Sequence, residues 1–233
     1  LTAATGCDSI VTLDLTVTYR VYHNVTLVSG DATMGSVTPM GVTVVEHDSL
    51  FTATATANYL APFRYVSGTG QTNHAVIQNL DVVTNITATD FRHAAGLIAD
   101  MSSYVDVTNC NVSANITANK GNTQTQLFPA GLVSQVANGS QLTVSGCTVS
   151  GTISTDGKFA GGMVGIVQGS ANITNSVSSV TINSSTDGDG THGGFVASLV
   201  SDRQLTIEGC VFNGKHVTTN GLTTKCGSFL GHN

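Results

Sequence analysis

Five segments of this chain align so that one position holds only asparagine or glycine. They are "VIQNLDVVTNI", "DVTNCNVSANI", "TVSGCTVSGTI", "NITNSVSSVTI" and "TIEGCVFNGKH", and the position reads Asn79, Asn109, Gly146, Asn175 and Gly209. These two residue types best tolerate a left-handed backbone, so each segment is expected to bend there. Two residues earlier stand Ile77, Val107, Val144, Ile173 and Ile207, all β-branched and suited to strands. One residue after the bend come Leu80, Cys110, Cys147, Ser176 and Cys210. Seven residues after it come Ile86, Ile116, Ile153, Ile182 and, against the pattern, His216.

A second block follows each first one: "AAGLIA", "AGLVSQV", "GGMVGIV", "GGFVASL" and "CGSFLG". Its glycine position reads Gly96, Gly131, Gly162, Gly194 and Gly227. From this glycine to the next bend takes 13, 15, 13 and 15 residues, whereas the stretch from bend to glycine varies more widely. One junction is therefore nearly constant, and the other carries the insertions. No helical period appears, and the strands are short and alternating. Such repeats cannot bury an apolar face singly, but stacked coils make a continuous core. The expected fold is all-β: a parallel β-helix of about five coils, each strand pairing with its equivalent one coil away. The glycine-rich "KFAGGMVGIVQGS" is one coil and not a phosphate loop, because no Gly-Lys-Ser/Thr and no helix follow.

Only 9% of residues are charged, against roughly a quarter in typical soluble domains. The net charge of −6 offers no basic stripe for nucleic acid and no attraction to an anionic membrane. No apolar run approaches the ~20 residues of a membrane-spanning helix, so no membrane insertion of this segment is expected. The chain, which opens on "LTAATGCDSI" and closes on "CGSFLGHN", reads as a segment of a longer protein.

The glycine blocks, each followed by "TNC", "SGC", "TNS" or "EGC", resemble the GLUG repeat of bacterial surface proteins. "APFRYVSG…AVIQNLDV" and "VTINSSTDGDGTHGGFV" look particularly like multi-domain surface proteins of Bacteroidetes. The resemblance covers roughly residues 60–233. It implies an extracellular, right-handed parallel β-helix, at the cell surface or secreted, and brings no catalytic residues with it.

Residues 1–59 follow another pattern. "GCDSIVTLDLTVTY" looks like the last strands of an immunoglobulin-like repeat. "VTLVSGDATMGSVTPMGVTVVEHDSLFTATATANY" is similar to the internalin-type β repeat, without its usual closing Trp. Two readings stand for this region: a small β domain, or a β cap in which Phe51–Tyr59 guards the open edge of the first coil.

Chemistry is expected where the insertions leave the coil, since loops on one edge of a repeat protein often bind. That edge gathers Asp90, Phe91, Arg92, His93, Lys120, Phe128, Asp156, Lys158, Phe159, Asp187, Asp189 and His192. The same letters also fit ordinary solvated corners, with the phenylalanines folded back over the coil. "TDGDGTHGG" spaces Asp187 and Asp189 as a calcium loop does, and equally as a tight turn. No metal or other cofactor is otherwise expected. Cys110 and Cys147 share a column and are read as stacked thiols or as a disulfide.

Three functions fit these residues. The first is a non-enzymatic module of a bacterial surface protein, an adhesin or stalk contacting a host or bacterial glycan or protein through the loop edge. The second is a carbohydrate-active β-helix enzyme, a polysaccharide lyase or hydrolase, with Asp156 paired to Asp187 or Asp189. The third is an ice- or mineral-ordering array of threonines, which the uneven coil lengths disfavour.

Overall fold

The computed structural model describes residues 59–121, 126–186, 191–219 and 226–233, together with the backbone of four strands nearer the start. Among the described residues there is no helix. The calcium-like pair Asp187 and Asp189 and most of residues 1–58 lie outside them.

From Tyr59 onward the chain winds into a solenoid of about five turns with three long parallel sheets. The first sheet stacks Phe63–Ser67, Ile98–Ser102, Val133–Val136, Val164–Val167, Val196–Leu199 and Leu230–His232. The second stacks Ala75–Gln78, Tyr104–Thr108, Gln141–Ser145, Ser170–Thr174 and Leu205–Glu208. The third stacks Asp81–Thr89, Asn111–Asn119, Thr148–Thr155 and Val177–Ser184, and ends on the short strands Val211–Phe212 and Lys215–Thr218. Every pairing between these coils is parallel and in register.

The bend between the second and third sheets is the Asn/Gly column. Its φ angles are 56° at Asn79, 51° at Asn109, 64° at Gly146, 48° at Asn175 and 62° at Gly209. All five lie in the left-handed region, where a side chain other than that of Asn, Asp or Gly is strained. The β-branched column before the bend pairs Ile77, Val107, Val144, Ile173 and Ile207. The column after it pairs Ile86, Ile116, Ile153, Ile182 and His216. Cys110 and Cys147 stack as buried thiols, with the Cys110 N–H donating to Cys147 Sγ at 3.5 Å.

The glycine column corrects the sequence reading in its last member. Val196 pairs with Leu230, so Gly194 lies over Ser228, and Gly227 bridges to Gly193 instead. The column is therefore Gly96, Gly131, Gly162, Gly194 and Ser228. A Cβ on any of its four glycines would run into the carbonyl oxygen of the next member. Directly after each member comes a core side chain, Leu97, Leu132, Met163 and Phe195, all fully buried. In the last coil the same place holds Phe229, whose ring stacks on Phe195 with centroids 5.4 Å apart.

Burial grades along the axis. Val107, Val144 and Ile173 are inaccessible, whereas Ile77 and Ile207 of the end coils are only partly buried. Each inward side chain needs a neighbour above and below, and the end coils have one on a single side. Nearer the start, Tyr22–Leu27 pairs with Gly41–Glu46 and Ser36–Thr38 with Thr54–Thr56, both antiparallel. The segment read as a cap thus divides: residues 54–56 join an antiparallel pair, whereas Tyr59–Leu60 pairs with His93–Ala94 in the parallel stack.

Gly162→Ala tests the close approach. Its new methyl has no room between the Gly194 carbonyl and the Ser178 hydroxyl, so about 3 kcal/mol or more of stability should be lost in a denaturant titration. Gly139→Ala is the contrast, because it has a φ of 72° but open space around its Cβ. Its cost should be about 1–2 kcal/mol, the left-handed penalty alone.

Candidate functional site

The insertion-bearing edge lies where the third sheet hands over to the glycine blocks. Tyr59 pairs with His93 and Phe159 with Thr191, and the bridges from Ala95 to Ala130 and on to Gly161 place Phe128 between them. The rings form a ladder along the axis. Tyr59 and His93 stack at 5.0 Å, His93 and Phe128 at 5.9 Å, and Phe128 and Phe159 at 5.3 Å. His93 and Phe128 are buried, and Phe91 and Phe159 are half-buried. The aromatic residues of this edge therefore pack the corner from within, and Arg92 lies over the Phe128 ring at 5.8 Å.

His93 is held in one tautomer. The Ser134 hydroxyl donates its only proton to the Phe128 carbonyl at 2.6 Å, so it must accept from His93 Nδ1–H at 3.0 Å. Burial, with the neighbouring Arg92 charge second, pushes the His93 ring down to about 3. His192 occupies the adjacent inward column beside Ala160. Neither of its ring nitrogens has a hydrogen-bond partner among the described residues. Burial, with His216 second, pushes it down to about 4. His216, which replaces isoleucine in its column, is also pushed down, chiefly by burial.

Asp156 accepts from the Lys120 N–H of the preceding coil at 2.6 Å. Asp90 sits in a left-handed turn at φ 66°, with its N–H donating to the Asn119 carbonyl. Among the described residues, the exposed charges that the edge presents are Arg92, Lys120 and Lys158, one from each of three successive coils. The twelve residues thus separate into a buried group around His93 and Phe128, turn-forming carboxylates, exposed cations, and Asp187 and Asp189 outside the described residues.

Another cluster passed unnoticed in the sequence. His74 bonds Asp106 through Nδ1 at 2.8 Å and the Gln71 carbonyl through Nε2 at 2.9 Å. Its ring stacks on Tyr104 at 5.1 Å. The hydrogen bond to Asp106 raises the pKa of His74 above its ordinary value. Nothing in the local sequence marks this trio, because its members come together only when two coils stack. The outward columns of the third sheet are also tied across coils: Asn111 Nδ2 donates to Asp81 Oδ1 at 2.7 Å, and Asn115 Nδ2 to Asn85 Oδ1 at 3.2 Å.

The buried histidines set an acid response. Both rings would titrate near 6.5 when unfolded but stay neutral in the fold down to about 4 and about 3. Only the unfolded chain takes up protons in that window. Stability is therefore full above pH ~6.5 and falls as the pH drops toward the folded values, by up to ~1.4 kcal/mol per pH unit per histidine. Thermal unfolding should show a lower Tm at pH 4.5 than at pH 7.5. His93→Phe, which extends the ring ladder, should flatten part of that fall, and an unchanged pH profile would contradict a buried neutral His93. Comparisons with protein-family models, with curated proteins and with solved structures find no match.

Proposed function

We propose that this chain is a non-enzymatic module of an extracellular bacterial surface protein, built on GLUG-type repeats, that serves as a stiff stalk and an adhesive surface. The observation that carries this reading is the outward face of the third sheet. Its columns run Asn85, Asn115, Thr152, Thr181, Lys215 and Asp81, Asn111, Thr148, in register from coil to coil. Side-chain amides and hydroxyls offer donors and acceptors to a partner without net charge, and the cross-coil bonds hold them in place. A pre-ordered surface loses less entropy on binding than a mobile one. On this reading the exposed Arg92, Lys120 and Lys158 form a second contact line along the loop edge, toward a host or bacterial glycan or protein.

The enzymatic alternative needs a carboxylate free to move a proton. Asp156 is the described candidate, and its Oδ1 is engaged by the Lys120 N–H. The test is to incubate the purified chain with an array of defined glycans and matrix proteins. The same glycans are then assayed for new reducing ends and unsaturated sugars. Selective binding with unchanged glycans is expected. Cleavage products would overturn the module reading in favour of a lyase or hydrolase.

A further inference from the structure

The corner between the first and second sheets varies in length from coil to coil. In-register residues bracket it at Met101 and Val105, Val136 and Leu142, Val167 and Ala171, and Leu199 and Leu205. The third and fifth coils thus spend two more residues on this corner than the second and fourth. The longer corners project, and the shorter ones leave a notch beside them.

The notch at the second coil is filled by the chain itself. Tyr104 stands there, with its ring stacked on His74, which Asp106 and the Gln71 carbonyl clamp. In the fourth coil the residue in register with Tyr104 and Gln141 is Ser170, preceded by Gly169. These side chains are too small to fill the space. An open hollow of about 280 Å³ lies over them, lined by Gly139, Ser140 and Gln141 from the third coil and by Asp202, Arg203 and Gln204 from the fifth, with Tyr104 also in its lining.

We propose that this notch binds a pyranose ring of a neutral oligosaccharide. The walls stand two coil steps apart, ~9.6 Å between backbones, which leaves the thickness of one ring between them. Gln141 and Gln204 each bring an amide that both donates and accepts. Ser170 brings a hydroxyl, Asp202 accepts and Arg203 donates. A polyhydroxylated ring satisfies all of them at once, while the adjoining carboxylate and guanidinium leave the site without net charge. Tyr104 offers an apolar ring edge at the margin, as saccharide sites do. At the second coil the chain's own Tyr104 ring stands beside the shorter corner, stacked on His74. The site lies on a different corner from the loop edge and does not depend on it.

The experiment uses an array of neutral and acidic oligosaccharides of two to four rings. Any hit is then measured by isothermal titration against the intact chain and its variants. Ser170→Tyr copies the chain's own filling of the second-coil notch and should abolish binding with Tm unchanged. Arg203→Ala, at an exposed position, should weaken the same hit at least tenfold and covers the case in which Ser170→Tyr does not fold. Glu208→Gln, an exposed residue at the far end of the strand that follows Gln204, should leave it unaltered. A blank array, hits only to acidic sugars, or affinity that survives Arg203→Ala would each overturn the notch. A blank array would leave the stalk reading standing, whereas cleavage products would count against that reading and not against the notch.

Discussion

Everything in this molecule depends on each coil lying within hydrogen-bonding distance of the next, about 4.8 Å away, around the whole circuit. That single distance decides which residues are tolerated where. At the glycine column it leaves no room for a Cβ, because the carbonyl oxygen of the next coil stands in its place. At the bend it forces the same left-handed turn five times over, and Asn or Gly fills each one. Inside, it makes like residues stack, so that Ile86, Ile116, Ile153 and Ile182 form one continuous apolar column. The β-solenoid satisfies all three columns together.

The same constraint explains where variation is allowed. A residue inserted inside a strand would shift every later side chain to the opposite face. Insertions therefore collect at the corners. At one corner they carry the exposed cations Arg92, Lys120 and Lys158 over an internal ladder of rings. At another they alternate in length and produce one filled notch and one open notch. A charge-poor stack thus acquires distinct surfaces without changing its core. Two histidines near the end of the stack weaken it toward acid: buried His192, and half-buried His216, which stands where the core column would otherwise continue in isoleucine.

Much of the fold was legible in the sequence because the demanding positions accept so few residue types. The Asn/Gly bend and the isoleucine column could be read directly; the bend holds in every coil, and the column in all but the last, where His216 stands. The glycine column was misplaced in the last coil. There Ser228 stands at the critical position and Gly227 just before it, so the letters pointed one residue early. The loop edge was legible as a corner, with the phenylalanines folded back over the coil as one of its two readings. Phe128 and His93 carry the same letters whether they face solvent or stack on each other, and only the register of neighbouring coils decides. The notch around Ser170 showed in the sequence only as the alternation of 13 and 15 residues from glycine to bend, and strand pairing was needed to place that difference at the corner between the first and second sheets. The His74–Tyr104–Asp106 cluster was hidden for the same reason.

The most direct test of the account is the isoleucine register, read by nuclear Overhauser contacts between isoleucine methyl groups in a selectively labelled sample. An in-register stack predicts an unbroken chain of contacts from Ile86 to Ile116 to Ile153 to Ile182, and a separate contact between Ile173 and Ile207. Contacts that skip a member, or that join the two columns in another order, would contradict the stacking from which the bend, the glycine column and both corners are derived.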